Sequence, residues 1–173
     1  MIFRALALSV SILVVTACGT ADVYHFVHEE TEADRRGLQW SNPAPNLASQ
    51  IEGDELPYMV IDFYSFWPGY SAEAYVYVVQ QDKSAIELKS ISVTSSKTGE
   101  SHHSALNVEA SPKMLGNGLY LYRYRVLDTR STDKFSKATS LDVNLVWISP
   151  SQREETTTFN LKKHERTEVV WPT

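Results

Sequence analysis

From Tyr58 onward the chain keeps alternating apolar and polar residues in short runs, each closed by turn-forming residues. That period of two commits it to half-buried β-strands. Tyr58 to Trp67 puts Met59, Ile61, Phe63 and Trp67 on one face and stops at Trp67-Pro68-Gly69. Glu73 to Gln80 (EAYVYVVQ) is dense in β-branched and aromatic residues, and the polar turn Gln81-Asp82-Lys83-Ser84 follows. In the next run, Ile86 to Thr94, the apolar register switches from Ile86/Leu88 to Ile91/Val93. A one-residue switch reverses the faces unless an extra residue absorbs it, which predicts a bulge near Lys89-Ser90.

The second half repeats the pattern. Ser95 to Ser104 reads as a polar loop, after which Leu106, Val108 and Ala110 share a face. Gly116-Asn117-Gly118 predicts a hairpin, because Gly and Asn tolerate the positive φ angles of tight turns. Leu119 to Leu127 is a long strand, and a Ser/Thr-rich loop runs from Asp128 to Thr139. Leu141, Val143, Leu145 and Trp147 then alternate with Asp142 and Asn144 until Ser149-Pro150-Ser151. Thr156 to Leu161 and Thr167 to Trp171 supply one or two more strands. Seven or eight short strands with no convincing helix predict an all-β, antiparallel, immunoglobulin-like sandwich over residues 57–173. The disulfide-and-tryptophan pattern of antibody domains is absent.

With 173 residues, 43% hydrophobic, the chain has ample material for a core. Its net charge of −5 is spread through intermixed acids and bases. No basic stripe suggests nucleic acid, and overall charge opposes adsorption to anionic lipid.

The first eighteen residues, MIFRALALSVSILVVTAC, have a different texture. Arg4 precedes an apolar run, and Val15-Thr16-Ala17-Cys18-Gly19 closes it. This resembles a bacterial lipobox, an aliphatic residue and two small ones before the cysteine. The resemblance implies a lipoprotein signal peptide over 1–17 and a diacylglycerol on the Cys18 thiol. It also implies cleavage before Cys18 and acylation of the freed amine. Val15-x-Ala17 also fits an ordinary secretory signal loosely, and about 13 apolar residues fall short of the roughly 20 of a membrane span. Gly19 in place of Asp implies, for a Gram-negative cell, the outer membrane facing the periplasm. Cys18 is the only cysteine, so the fold is expected to rest on its core without a disulfide. Residues 18–56, with a charge run from His28 to Arg36 and the stretch Asn42-Pro43-Ala44-Pro45, read as a lipidated tether and an N-terminal segment.

Few residues carry chemistry. His25-x-x-His28-Glu29-x-x-Glu32 would offer metal ligands along one face if helical. His102-His103 could chelate together only in a loop, with His164 as a remote third, because strand neighbours point to opposite faces. Against both stands the plainer expectation of solvated surface histidines, with no metal or other cofactor. No nucleophile elbow, His-Glu-x-x-His or phosphate-binding glycine loop is present, so no catalytic activity is expected. A dispersed site would need Asp62 to meet the two histidines of the Ser95–Ser104 loop, and on the less apolar face of its strand Asp62 is expected as a solvated carboxylate. Nine tyrosines outnumber six phenylalanines. Tyr120, Tyr122 and Tyr124 share a face, either as core or as a partner-binding surface, and Tyr75 and Tyr77 share another. The expected role is a lipid-anchored, non-catalytic binding or assembly module for an envelope protein or glycan. An inhibitor or immunity-type lipoprotein and a metal-handling lipoprotein are the alternatives.

Overall fold

A computed structural model describes residues 19–38, 40, 43, 51, 56–66, 73–83, 86–106, 111–115, 118–127 and 133–170. Cys18, the Trp67-Pro68-Gly69 turn, Val108, Ala110, Gly116-Asn117 and Trp171 lie outside them. The described chain is nearly all β. Its strands are β1 (Gly19–Val27), β2 (Tyr58–Phe66), β3 (Ala74–Gln80), β4 (Leu88–Thr94), β5 (Ser101–Ser104), β6 (Lys113–Met114), β7 (Tyr120–Leu127), β8 (Ser140–Ile148) and β9 (Glu154–Val170). One short helix, α1 (Glu32–Gly37), and a 3-10 turn at Asp133–Phe135 complete the elements. All pairings are antiparallel, in the order β5-β4-β8-β9-β1-β2-β3-β7-β6.

The sheet folds over to bury a shared core. Ile61, Phe63, Val76 and Val78 from β2 and β3 cluster with Ile91, Val93, Leu141, Val143, Leu145 and Trp147 from β4 and β8. The antiparallel sandwich expected from the alternation is therefore the class observed, with nine strands. The inward set of β8 is the predicted one, and every second residue from Leu141 to Trp147 is buried. The predicted bulge is also present. Leu88 pairs with Trp147 and Ser90 with Val146, so Lys89 is the extra residue. It lets both Leu88 and Ile91 face the core.

Two regions differ from expectation, and a third, left open, is decided. Gly19–Val27, read only as part of a lipidated tether and N-terminal segment, is an interior strand paired with β9 along its length and with β2 at Tyr24 and Phe26. The C-terminal stretch, left open as one strand or two, is one strand, and the 17 residues of β9 pair first with β8 and then with β1. Ser101–Ser104, assigned to a loop, is the edge strand β5.

The segment after β1 has a structural role as well. Leu38 packs with Val60, Tyr77, Val79, Leu115, Leu119 and Leu121, and Trp40, Ile51 and Leu56 lie against this second cluster. It covers the outer face of β2, β3 and β7, which is why β3 is buried on both sides. Two polar contacts fix α1 to β2. The Arg35 guanidinium donates two hydrogen bonds to Glu32, at 2.8 and 2.9 Å, and reaches Asp62 at 3.4 Å. The Tyr58 hydroxyl donates to Asp34 at 2.5 Å. Asp62, expected as a solvated carboxylate, is instead part of this clamp. Arg35 needs both acids, since a buried guanidinium without them would be costly.

Candidate functional site

The tyrosines settle first. Tyr122 and Tyr124 are each only 1% exposed and belong to the main core, and Tyr120 packs half-buried beside them. Tyr124 donates its hydroxyl to the Ile86 carbonyl at 3.0 Å, and Tyr122 donates to the Lys83 carbonyl. Burial pushes both phenols above their ordinary pKa. Of the tyrosines considered for a partner-binding surface, Tyr122 and Tyr124 are thus core residues, and Tyr120 packs beside them. Alternation alone could not separate these readings, because a strand with two buried faces has no outside. Across β7, Leu121 lies in the second cluster, and the Arg123 guanidinium sits 4.9 Å from the Trp40 ring and 4.8 Å from that of Tyr75. Tyr75 and Tyr77 stack at 6.4 Å, and burial, the largest influence, carries the Tyr77 phenol to about 12. Arg125 at the exposed end pairs with Glu73 at 2.9 Å.

The histidines are rearranged too. His25 lies opposite His164 across the β1–β9 ladder, with ring centroids 5.5 Å apart and planes inclined by 24°. Burial first, then His164 and Arg166, lowers the His25 pKa from its ordinary 6.5. His28 instead packs edge-on against Phe159 at 5.2 Å and bonds the Thr31 hydroxyl at 2.9 Å. The proposed His25/His28/Glu29/Glu32 face does not form, since His25 is in a strand, Glu29 pairs with Lys162 and Glu32 with Arg35. His102 and His103 are consecutive residues of β5, so their side chains point to opposite faces. Among the described residues no three His, Cys, Asp or Glu side chains converge closely enough to hold a metal ion.

What the fold builds instead is a cleft of about 460 Å3 at one end of the sandwich. Its walls come from both halves. Leu56 and Pro57 lead into β2, Gln80 and Asp82 close β3, Ile86 and Glu87 precede β4, and Ile148 to Gln152 form the β8–β9 turn. Gln80 is only 4% exposed and donates its amide to the Asp82 carbonyl at 2.9 Å. Ser149 is equally buried and holds the turn by donating to the Arg153 carbonyl at 3.1 Å. Gln152 takes φ = 60°, the left-handed region, and closes the turn through its backbone bond to Ser149 at 2.8 Å. The cleft thus combines apolar residues (Leu56, Pro57, Ile86, Ile148, Pro150), several amide groups and two carboxylates, with no basic residue among the described lining residues. That chemistry suits recognition through hydrogen bonds and shape. The only hints in the sequence were the two polar turns, which signal a change of direction and nothing about convergence.

The strand registers fix where this cleft lies relative to the N-terminus. Gly19 pairs with Val170 at one end of β9, and Ile148 pairs with Glu154 at the other. Leu88 lies beside Trp147, and β2 runs from Phe66 near Tyr24 toward Tyr58, which pairs with Val79. Every wall of the cleft is therefore at the end remote from Gly19. The 17 residues of β9 make the two ends about 50 Å apart along the strand.

No protein-family model, curated protein or solved structure matches the chain. Among the described residues no helix is long and apolar enough to cross a membrane.

Proposed function

We propose that this chain is a lipid-anchored protein of a bacterial envelope, a non-catalytic module that presents its strand-end cleft to an envelope protein or glycan. The observation that carries the reading is the opposition of the two ends. Cys18, in its lipobox-like setting, is bonded to the first residue of β1, and the cleft lies at the far end of the strand that pairs with β1. An anchor at one pole leaves the other pole open to a partner beyond the membrane surface. Two acyl chains or more give stable attachment, so the module would stay tethered while it engages. In a Gram-negative cell the attachment is to the outer membrane, facing the periplasm.

Two measurements test the parts separately. Cys18→Ser should abolish uptake of labelled palmitate, and equal labelling of both proteins would refute the anchor. A photo-crosslinking residue at Gln81 or Gln152 should capture a discrete partner in cells, whereas one at exposed Asn160 should not. Equal yields from all three positions would remove the cleft as the binding site.

A further inference from the structure

A second cleft, of about 440 Å3, lies at the opposite end of the sandwich. Lys97 comes from the β4–β5 turn, Lys137 and Thr139 from the approach to β8, and Lys163 and Glu165 from β9. The registers place these segments toward Gly19, because Thr94 pairs with Asp142, Ser140 with Lys162, and Phe26 with Lys163. Three ammonium groups face one carboxylate, Glu165, which Lys163 engages at 2.6 Å. Lys163 is held in place. Its ammonium donates to the Ser136 carbonyl at 2.9 Å and lies 4.5 Å from the Tyr24 ring centroid. Lys97 and Lys137 are exposed. In a chain of net charge −5 this is a local reversal of sign.

We infer that this basic rim docks on the phosphates of anionic lipid headgroups in the membrane that holds the chain, an inference that rests on the Cys18 anchor. Two observations select that occupant. The sign of the rim complements a phosphate surface, and the rim lies on the anchor's side. Lys163, the lysine of β9, pairs with Phe26, seven residues from Gly19, a contour of at most about 24 Å. Surface potential decays over about 8–10 Å, so the lysines feel it once the domain tilts about its anchor and brings the rim down to the surface. Overall charge prevents the chain from adsorbing unaided, but an acylated chain is already at the surface. The rim then selects an orientation, basic end inward and the Asp82/Glu87 cleft outward.

The test reconstitutes the detergent-purified, full-length-expressed protein into vesicles of phosphatidylcholine, alone or mixed with phosphatidylglycerol. Acetylation rates of individual lysines are then read by mass spectrometry. On the anionic vesicles Lys97 and Lys137 should react roughly fivefold more slowly, the factor expected for a lysine held at a charged surface. Lys83, at the remote end, should react equally on both, and high salt should erase the difference. Flotation with both vesicles but equal Lys97 and Lys137 rates would overturn the docking surface and leave the anchor standing. Equal slowing of Lys83 would also overturn it, since the whole surface would then be shielded without preferred orientation. Failure to float with either vesicle would overturn the anchor, and the docking surface with it.

Discussion

Tyr124 shows how a polar side chain can serve an apolar core. Its ring fills space among Val76, Ile91 and Val143, while its hydroxyl satisfies the Ile86 carbonyl at the approach to β4. Tyr124→Ala should cost about 3–5 kcal/mol in urea melts, as for other large buried aromatics. Tyr124→Phe should cost about 1–2 kcal/mol by stranding that carbonyl. A loss below about 0.5 kcal/mol for the alanine variant would contradict the core assignment. His25 governs a different observable. Because burial and its cationic neighbours depress its folded pKa, the unfolded chain takes up a proton more readily. The stability associated with neutral His25 is fully present above 6.5 and declines as pH falls through that value toward the folded pKa. Melting temperature should therefore drop on mild acidification, and His25→Gln should flatten that part of the profile. An unchanged slope in the variant would assign the loss to other groups. Glu29, Glu32 and Glu73 are held below their ordinary 4.5 and titrate in a lower window.

Among the elements, β4 gives the sharpest check on register. Lys89 is exposed, and its contact with Glu154 at 3.5 Å is between solvated groups. Lys89→Ala should stay within about 0.5 kcal/mol of the wild type. Deleting Lys89 should cost about 2–5 kcal/mol, comparable to losing a buried leucine, because it turns Leu88 away from the core. Equal effects of deletion and substitution in urea melts would mean that the bulge does not set the register. This element was legible in the sequence because the switch from Ile86/Leu88 to Ile91/Val93 is a local contradiction of period. β1 was not legible in that way. Val23, Phe26 and Val27 are buried, but His25 and the charge run beside them obscure the alternation. Its strand state comes from β9 and β2, whose partner residues lie far along the chain.

At the scale of the whole molecule, the two clefts give the sandwich a polarity that its composition conceals. The remote cleft has only acidic ionisable groups in its lining, and the rim near Gly19 is mainly lysine. A single net charge of −5 averages these away. By itself the sequence determined the β class, the inward face of β8 and the bulge in β4. Each of these depends on residue types within one short window, where side-chain period and turn chemistry act. Only the tertiary structure decided that β1 is interior, that Tyr122 and Tyr124 are core, and that His25 meets His164 and not His28. It alone also brought Gln80 to Gln152 in one cleft and Lys97 to Lys163 in another. The physical reason is that burial on the second face of a strand, and convergence at strand ends, are set by pairings between distant segments. The period of two fixes which residues share a face, but pairing and fold-over decide what each face meets.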